Sequence, residues 1–183
     1  YWYDVNDNKK TWTNKQIVQR SCGKFRREWE SSSMKDKSYT PENYPILRYG
    51  DVLLMLAEAE NEAHQGPTDV AYECINEIRQ RAGISKLEGL SYTDFQQAVR
   101  DERARELCFE SLRKYDLVRW GIYVEAIHDK LGAATQDKRW ATGNQFIGAR
   151  DYAARTQEKH QFLPIPTKEL DVNGKLEQNK YWQ

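Results

Sequence analysis

The densest set of side chains able to do chemistry lies between residues 95 and 113. At about 100° per residue, Phe95 and Val99 mark the apolar stripe of a helix. Followed along the same face, that stripe becomes Glu102, Arg103, Glu106, Glu110 and Arg113. Paired carboxylates of this kind are what acid–base cleavage of a glycosidic bond uses, one acid protonated and one ionised. Here every acid has a basic neighbour, and a guanidinium beside a carboxylate keeps it ionised. The pattern therefore reads as a partly buried ion-pair network, with Asp116 and Arg119 joining from the following helix. No catalytic residue is assigned.

A second set is aromatic. Trp2, Tyr3, Trp12 and Trp29 sit in a polar N-terminal stretch beside Asp4, Asn6 and Asp7. Flat rings can stack on a sugar ring while amides and carboxylates take its hydroxyls, so these four are the candidate ligand-binding residues. Packing of aromatics beneath loops is the competing reading. Trp140 and Asn144 form a second candidate pair. Lys24, Arg26 and Arg27 carry charge at both strand parities, which reads as a solvated strand rather than a nucleic-acid patch.

Other chemistries find no foothold. His64, His128 and His160 have no second His or Cys three or four residues away, so no zinc site is expected. Neither a nucleophile elbow nor a phosphate-binding glycine loop occurs. Cys22, Cys74 and Cys108 are odd in number and lack a C-x-x-C. They point to small buried hydrophobes, not to a disulfide framework or a metal. No cofactor or metal is expected.

The elements that must position these residues are mostly helical. Between Leu47 and His64, Tyr49, Val52, Leu53, Leu56, Ala59 and Ala63 recur at helical spacing, and Gly66-Pro67 ends the run. Ala57, Ala59 and Ala63 are small enough to admit a close neighbour. Thr68 or Asp69 caps a second helix with the stripe Ala71, Ile75, Ile78 and Ala82, stopped by Gly83. So short a connection predicts a helical hairpin. Thr93 and Gln96 form a capping box for a third helix running to about Leu112, and a fourth covers roughly Tyr115 to Leu131. Residues 133–160 read as a long loop or short helices. Two prolines force 162–166 to be extended, after which Thr167 caps a turn through Leu170. Upstream, 1–45 is irregular, with one short strand over Cys22–Trp29 and a loop at Ser31–Ser33.

Composition sets limits. The 183 residues make one domain or part of a larger one. Lys and Arg number 28 and so do Asp and Glu, so no overall field draws nucleic acid or an anionic membrane. Hydrophobic residues reach only 39%, and no run of about 18 apolar residues exists to span a bilayer. The Tyr1 start, without Met, reads as mid-chain, with an N-terminal portion expected upstream.

Four segments, in order, resemble the C-terminal region of the SusD/RagB family. Asn43-Tyr44-Pro45-Ile46-Leu47-Arg48-Tyr49-Gly50-Asp51-Val52-Leu53-Leu54-Met55-Leu56-Ala57-Glu58-Ala59 looks like its R-Y-A-D-V-L-L-M-Y-A-E-A helix. Ile75-Asn76-Glu77-Ile78-Arg79-Gln80-Arg81-Ala82-Gly83 is similar to N-x-[VI]-R-x-R-A-G. Glu102-Arg103 through Glu110, then Arg113 and Asp116-Leu117-Val118-Arg119-Trp120-Gly121, resembles E-R-x-x-E-L-x-F-E-G-x-R-x-x-D-L-x-R-W-G. Phe162 to Leu170, closing on Gln178-Asn179, looks like the P-I-P-x-x-E-L…Q-N tail. Ser111 stands where the family often has Gly, Gly50 where it often has Ala, and Asn179-Lys180-Tyr181-Trp182 replaces N-P-G-[YW].

The resemblance implies a mainly α fold of tetratricopeptide-like helix pairs with long irregular loops. Residues 1–45 would be its loop and short-strand segment and 46–183 its C-terminal helical domain. It implies a binder and not an enzyme: a lipoprotein on the extracellular face of the outer membrane, delivering glycan to a SusC-like TonB-dependent transporter. The lipid would sit on an N-terminal Cys absent from this chain. An oligosaccharide is the expected ligand. A peptide-binding, RagB-like role and a helical-repeat adaptor are the alternatives, and a glycoside hydrolase is a third.

Overall fold

The computed structural model describes residues 2–3, 9–11, 22–25, 29, 43–131, 133 and 144–183. The chain divides into two compact units. One is Cys22–Arg113; the other joins Tyr1–Ser21 to Lys114–Gln183.

The first unit is built on three helices. Helix α1 spans Tyr49–His64, α2 Asp69–Arg81 and α3 Tyr92–Glu106. α1 ends where Gln65 turns left-handed at φ 53° and the Gly66 N–H reaches back to the Asn61 carbonyl at 3.1 Å. Four residues then suffice to reach α2, whose N-cap is Thr68, its hydroxyl accepting from the Ala71 N–H at 3.1 Å. Gly83, at φ 72°, supplies the left-handed stop expected after α2.

The core forms where α1, α2 and α3 meet. Leu54, Ala57, Ala71, Ile75 and Phe95 are fully enclosed, with Leu53, Cys74, Ile78 and Val99 around them. Burial of each large side chain is worth about 1.5–3 kcal/mol. Tyr72 packs edge-on against Phe95, ring centroids 5.0 Å apart. This helix-pair packing is mainly α and tetratricopeptide-like, as expected.

The buried face of α1 differs from the expected stripe. Leu53 and Ala57 are inside, joined by Gly50, Asp51, Leu54 and Asn61, whereas Tyr49, Val52, Leu56, Ala59 and Ala63 are exposed. Apolar residues lie on two sides of this helix, so periodicity alone selects the wrong one. Ala82 is exposed too, because α2 stops at Arg81. Of the cysteines, Cys74 is buried as expected; Cys108 is exposed and Cys22 half-buried. Helix α3 is capped two residues before the expected box. Ser91 is its N-cap, accepting from the Asp94 N–H at 3.2 Å, and Gln96 instead donates to Glu62 at 2.7 Å. α3 also stops at Glu106, six residues short of Leu112.

The second unit relies on shorter pieces. A two-residue antiparallel ladder pairs β1 (Trp2–Tyr3) with β2 (Lys9–Lys10). Helix α4 spans Arg113–Arg119, α5 Tyr123–Ala126 with a wider turn through Leu131, α6 Asn144–Arg155 and α7 Thr167–Val172. The single helix expected over Tyr115–Leu131 is thus interrupted, at Gly121, whose φ is 69°. Within 133–160, expected to be loop or short helices, α6 runs for 12 residues. Thr167 is the first residue of α7 rather than its cap, Pro166 being the flanking residue. The segment before it is extended as expected, and the Gln178 side-chain amide clips it: it donates to the Ile165 carbonyl at 2.9 Å and accepts from the Ile165 N–H at 2.8 Å. Among the described residues no helix is long and apolar enough to cross a membrane.

Candidate functional site

The charged stripe of α3 is built into the first unit. Arg103 pairs with Asp51 of α1 at 2.8 Å, both nearly enclosed. Glu102 accepts from Arg79 of α2 at 2.8 Å and lies 3.5 Å from Arg105. Beyond Glu106 the chain turns sharply, with Phe109 at φ 64° and Ser111 at φ 62°. That turn brings Glu110 back against the segment before α1. The strand expected over Cys22–Trp29 is absent among its described residues: Gly23–Phe25 form a bend, with Phe25 at φ 52°.

Arg48 is the hub. Its guanidinium donates to Glu110 at 2.7 and 2.9 Å, to the Glu106 carboxylate at 2.5 Å and to the Glu106 carbonyl at 2.5 Å. Glu106 also takes Arg81 at 2.5 Å. Lys24 reaches the Glu106 carbonyl at 2.6 Å and pairs with Glu110. Lys24 is therefore tied inward and not a solvated strand residue; Arg26 and Arg27 lie outside the described residues. The Glu110 carbonyl accepts from the Tyr44 hydroxyl at 3.1 Å. Gly50 makes room for this cluster: a Cβ there would meet the Arg48 guanidinium at 2.8 Å and a Glu106 carboxylate oxygen at 3.1 Å.

Burial alone would push the Glu106 and Glu110 carboxyls up. Hydrogen bonds from Arg81 and Arg48 on Glu106, and from Arg48 and Lys24 on Glu110, outweigh it and hold both below the ordinary carboxylate range. The Arg48 guanidinium is pushed up, chiefly by its hydrogen bond to Glu110. Neither carboxylate can keep a proton near neutrality, so the cluster offers no general acid. The ion-pair reading of α3 is what the structure has. Asp116 and Arg119 pair with each other at 3.0 Å in the other unit.

Beside the cluster lies a cavity of about 490 Å³. Its walls include Phe25, Trp29, Pro45, Arg81 and Arg105. Trp29 is 65% exposed and Phe25 49%, with Phe25 tilted against Tyr44 at 6.1 Å. One of the four candidate aromatics thus stands at a cavity. Trp2 and Tyr3 supply the backbone of β1, in the other unit. Trp12 lies outside the described residues, as does Trp140; Asn144 opens α6.

A second cavity, also about 490 Å³, lies within Lys114–Gln183. Tyr123, Tyr152, His160, Phe162 and Trp182 line it. Tyr123 and Tyr152 share a hydrogen bond between their hydroxyls. Burial and that bond push the Tyr123 phenol up to about 12. The Trp182 indole N–H is held by the Lys159 and Phe162 carbonyls, each at 3.0 Å. The sequence reading missed this group, because its members are scattered from 123 to 182 without a shared period. Among the described residues no cluster of His, Cys, Asp and Glu could hold a metal ion.

The sequence profile of the SusD family matches residues 1–182. Two SusD-like proteins of Formosa agariphila align with the chain at 40% identity over 139 residues and 29% over 148 residues, or 74% and 75% of the chain. The chain spans about a quarter of the length of these curated relatives, 23% and 25%. Among solved structures, a SusD homolog from Bacteroides thetaiotaomicron superposes with a TM-score of 0.69 at 36% identity, covering 81% of this chain and 29% of that one. A SusD superfamily protein from Bacteroides vulgatus gives 0.58 at 30% identity with the same coverage.

Proposed function

The chain belongs to the SusD family, and on that premise we propose that the protein captures glycan at the bacterial cell surface and passes it to a SusC-like TonB-dependent transporter. A lipid at a mature N-terminus would tether it to the outer face of the outer membrane. Capture works by ring stacking and hydrogen bonding, without bond chemistry.

The observation that carries this reading is the exposed Trp29 beside Phe25 at the mouth of a cavity about 490 Å³ in size. Such a space is in the range of small-ligand sites. A flat indole presents one apolar face to a sugar ring, and Arg81 and Arg105, which line the same cavity, carry guanidinium N–H groups able to donate to its hydroxyl oxygens. Trp2, Tyr3 and Trp12 stay in the proposal as further stacking residues. The carboxylates of the same site face cations, which favours holding a ligand over cleaving one.

A protein adaptor draws on a different feature: the second apolar face of α1, with Tyr49, Val52, Met55 and Leu56 exposed. Calorimetric titration of the intact protein against neutral and acidic oligosaccharides and peptides separates these readings. Glycan capture predicts saccharide binding that weakens about tenfold or more in Trp29→Ala, as when an anchoring aromatic is lost. Peptide binding alone would move the protein to the RagB-like side. Silence toward both would sink capture and favour the adaptor.

A further inference from the structure

We infer that the Trp29 cavity selects an acidic saccharide, a sugar ring carrying a carboxylate or a sulfate ester. This rests on the capture reading above and adds to it the charge of the ligand.

The chain as a whole is neutral, so a local surplus is not a by-product of general basicity. Around this cavity the described residues are unbalanced. Lys24, Arg48, Arg79, Arg81 and Arg105 share only three carboxylates, those of Glu102, Glu106 and Glu110. Two positive charges of that network are left over. The surplus falls on particular groups. Arg48 is saturated by two carboxylates, and Arg79 and Lys24 face inward. Arg81 and Arg105 are the cavity-lining cations with exposed heads, 59% and 61% of each side chain, and each has one shared acid.

A guanidinium has five donors in a planar fork, more than one shared carboxylate uses. Spare donors of that geometry match a carboxylate or sulfate in a bidentate pose. The apolar wall beside them accounts for the ring. Trp29, Phe25 and Pro45 line the same space and supply flat surface for the face of a pyranose. An anion on that ring would then reach the two guanidinium heads. Glu106 and Glu110 do not repel it strongly, because Arg48 and Lys24 already neutralise them on their inner side.

The test is calorimetric titration of the intact protein with four probes: tetragalacturonate, the same oligosaccharide with its carboxylates methyl-esterified, a sulfated chondroitin tetrasaccharide and maltotetraose. We expect at least one acidic probe to bind about tenfold or more tightly than the esterified sugar, as a charge-assisted pair requires. That preference should shrink between about 50 and about 500 mM NaCl, since the heads are exposed to screening. Arg105→Gln, and the double variant with Arg81→Gln, should erase the preference, and Arg105→Lys should recover part of it. Equal or tighter binding of the neutral sugars would overturn the charge selection and leave capture standing. An undiminished acidic preference in the double variant would overturn the assignment to this cavity. Silence toward all four probes would overturn capture itself, and this inference with it.

Discussion

The two units of the chain are held by opposite chemistries, and so they should fail at opposite ends of the pH scale. Cys22–Arg113 rests on long helices around an apolar core, edged by carboxylates that arginines keep ionised. Lys114–Gln183 rests on short helices, the buried Tyr123 phenol bonded to the exposed Tyr152, and side-chain amides that hold extended backbone. Both use the same clip. Asn76 binds Leu87 through its N–H at 2.7 Å and its carbonyl at 2.9 Å, much as Gln178 binds Ile165. What differs is whether proton loss or proton gain is the threat. The motif carboxylates Glu106 and Glu110 thus act as scaffold in the first unit, whereas Arg81, itself a motif residue, keeps an exposed head for the ligand proposed above.

The largest expected effect tests the enclosed pair. Arg103→Ala strands Asp51 and should cost the first unit about 3–5 kcal/mol by urea unfolding. Replacing both, Arg103→Met with Asp51→Leu, should recover most of that loss. Next comes Glu106→Ala, which leaves Arg48 and Arg81 without a shared acid and should cost about 3 kcal/mol. An unchanged melting temperature would remove the network from the account of this unit.

The same carboxylates give the pH arm of the comparison. Native Glu106 and Glu110 titrate lower than in the unfolded chain. Their stabilisation is therefore full above about pH 4.3 and lost as pH falls through the native values. Unfolding midpoints measured from pH 7 down to about 3 should drop steeply, and less so in Glu106→Gln. Tyr123 works the other way. Its phenol is raised to about 12 against about 10 when unfolded. Stabilisation from the neutral phenol is full below about pH 10 and lost as pH rises toward the native value.

Smaller effects sharpen the contrast. Gln178→Ala removes both bonds to Ile165 and one to the Asn179 N–H, and should cost about 1–2 kcal/mol without changing the acid limb. Tyr123→Phe should cost about 1 kcal/mol and flatten the alkaline limb; a limb that persists would place its cause elsewhere. Ser111→Gly is expected to stabilise by about 0.5–1 kcal/mol, since Ser111 sits at φ 62° where glycine has no steric penalty. Thermal melts are enough to read that gain.

Several of these features were legible beforehand. The helix pair over 49–81, its Thr68 cap and Gly83 stop, and the charged face of α3 all follow from local spacing and local hydrogen bonding. The family resemblance was legible for the same reason: caps and stops are set by residues close in sequence. Ser111 and Gly50 stand out in the sequence only as departures from the family pattern; the left-handed backbone of the one and the close approach of Arg48 to the other come from the structure.

Where helices end and which side they bury was a different matter. The stop at Glu106 depends on Glu110 finding Arg48, 62 residues away. The inward face of α1 depends on α2 and α3 arriving against Leu54 and Ala57, leaving Tyr49 and Val52 outside. The Trp29 cavity needs Phe25, Arg81 and Arg105 drawn from three stretches of chain, and the Tyr123 cavity needs residues as far on as Trp182. Sequence by itself determined the helices, the charges and the family, because those arise from neighbours along the chain. Only the tertiary structure decided which charges pair and which aromatics share a space, because burial and ion pairing are set by residues that meet only when the chain has folded.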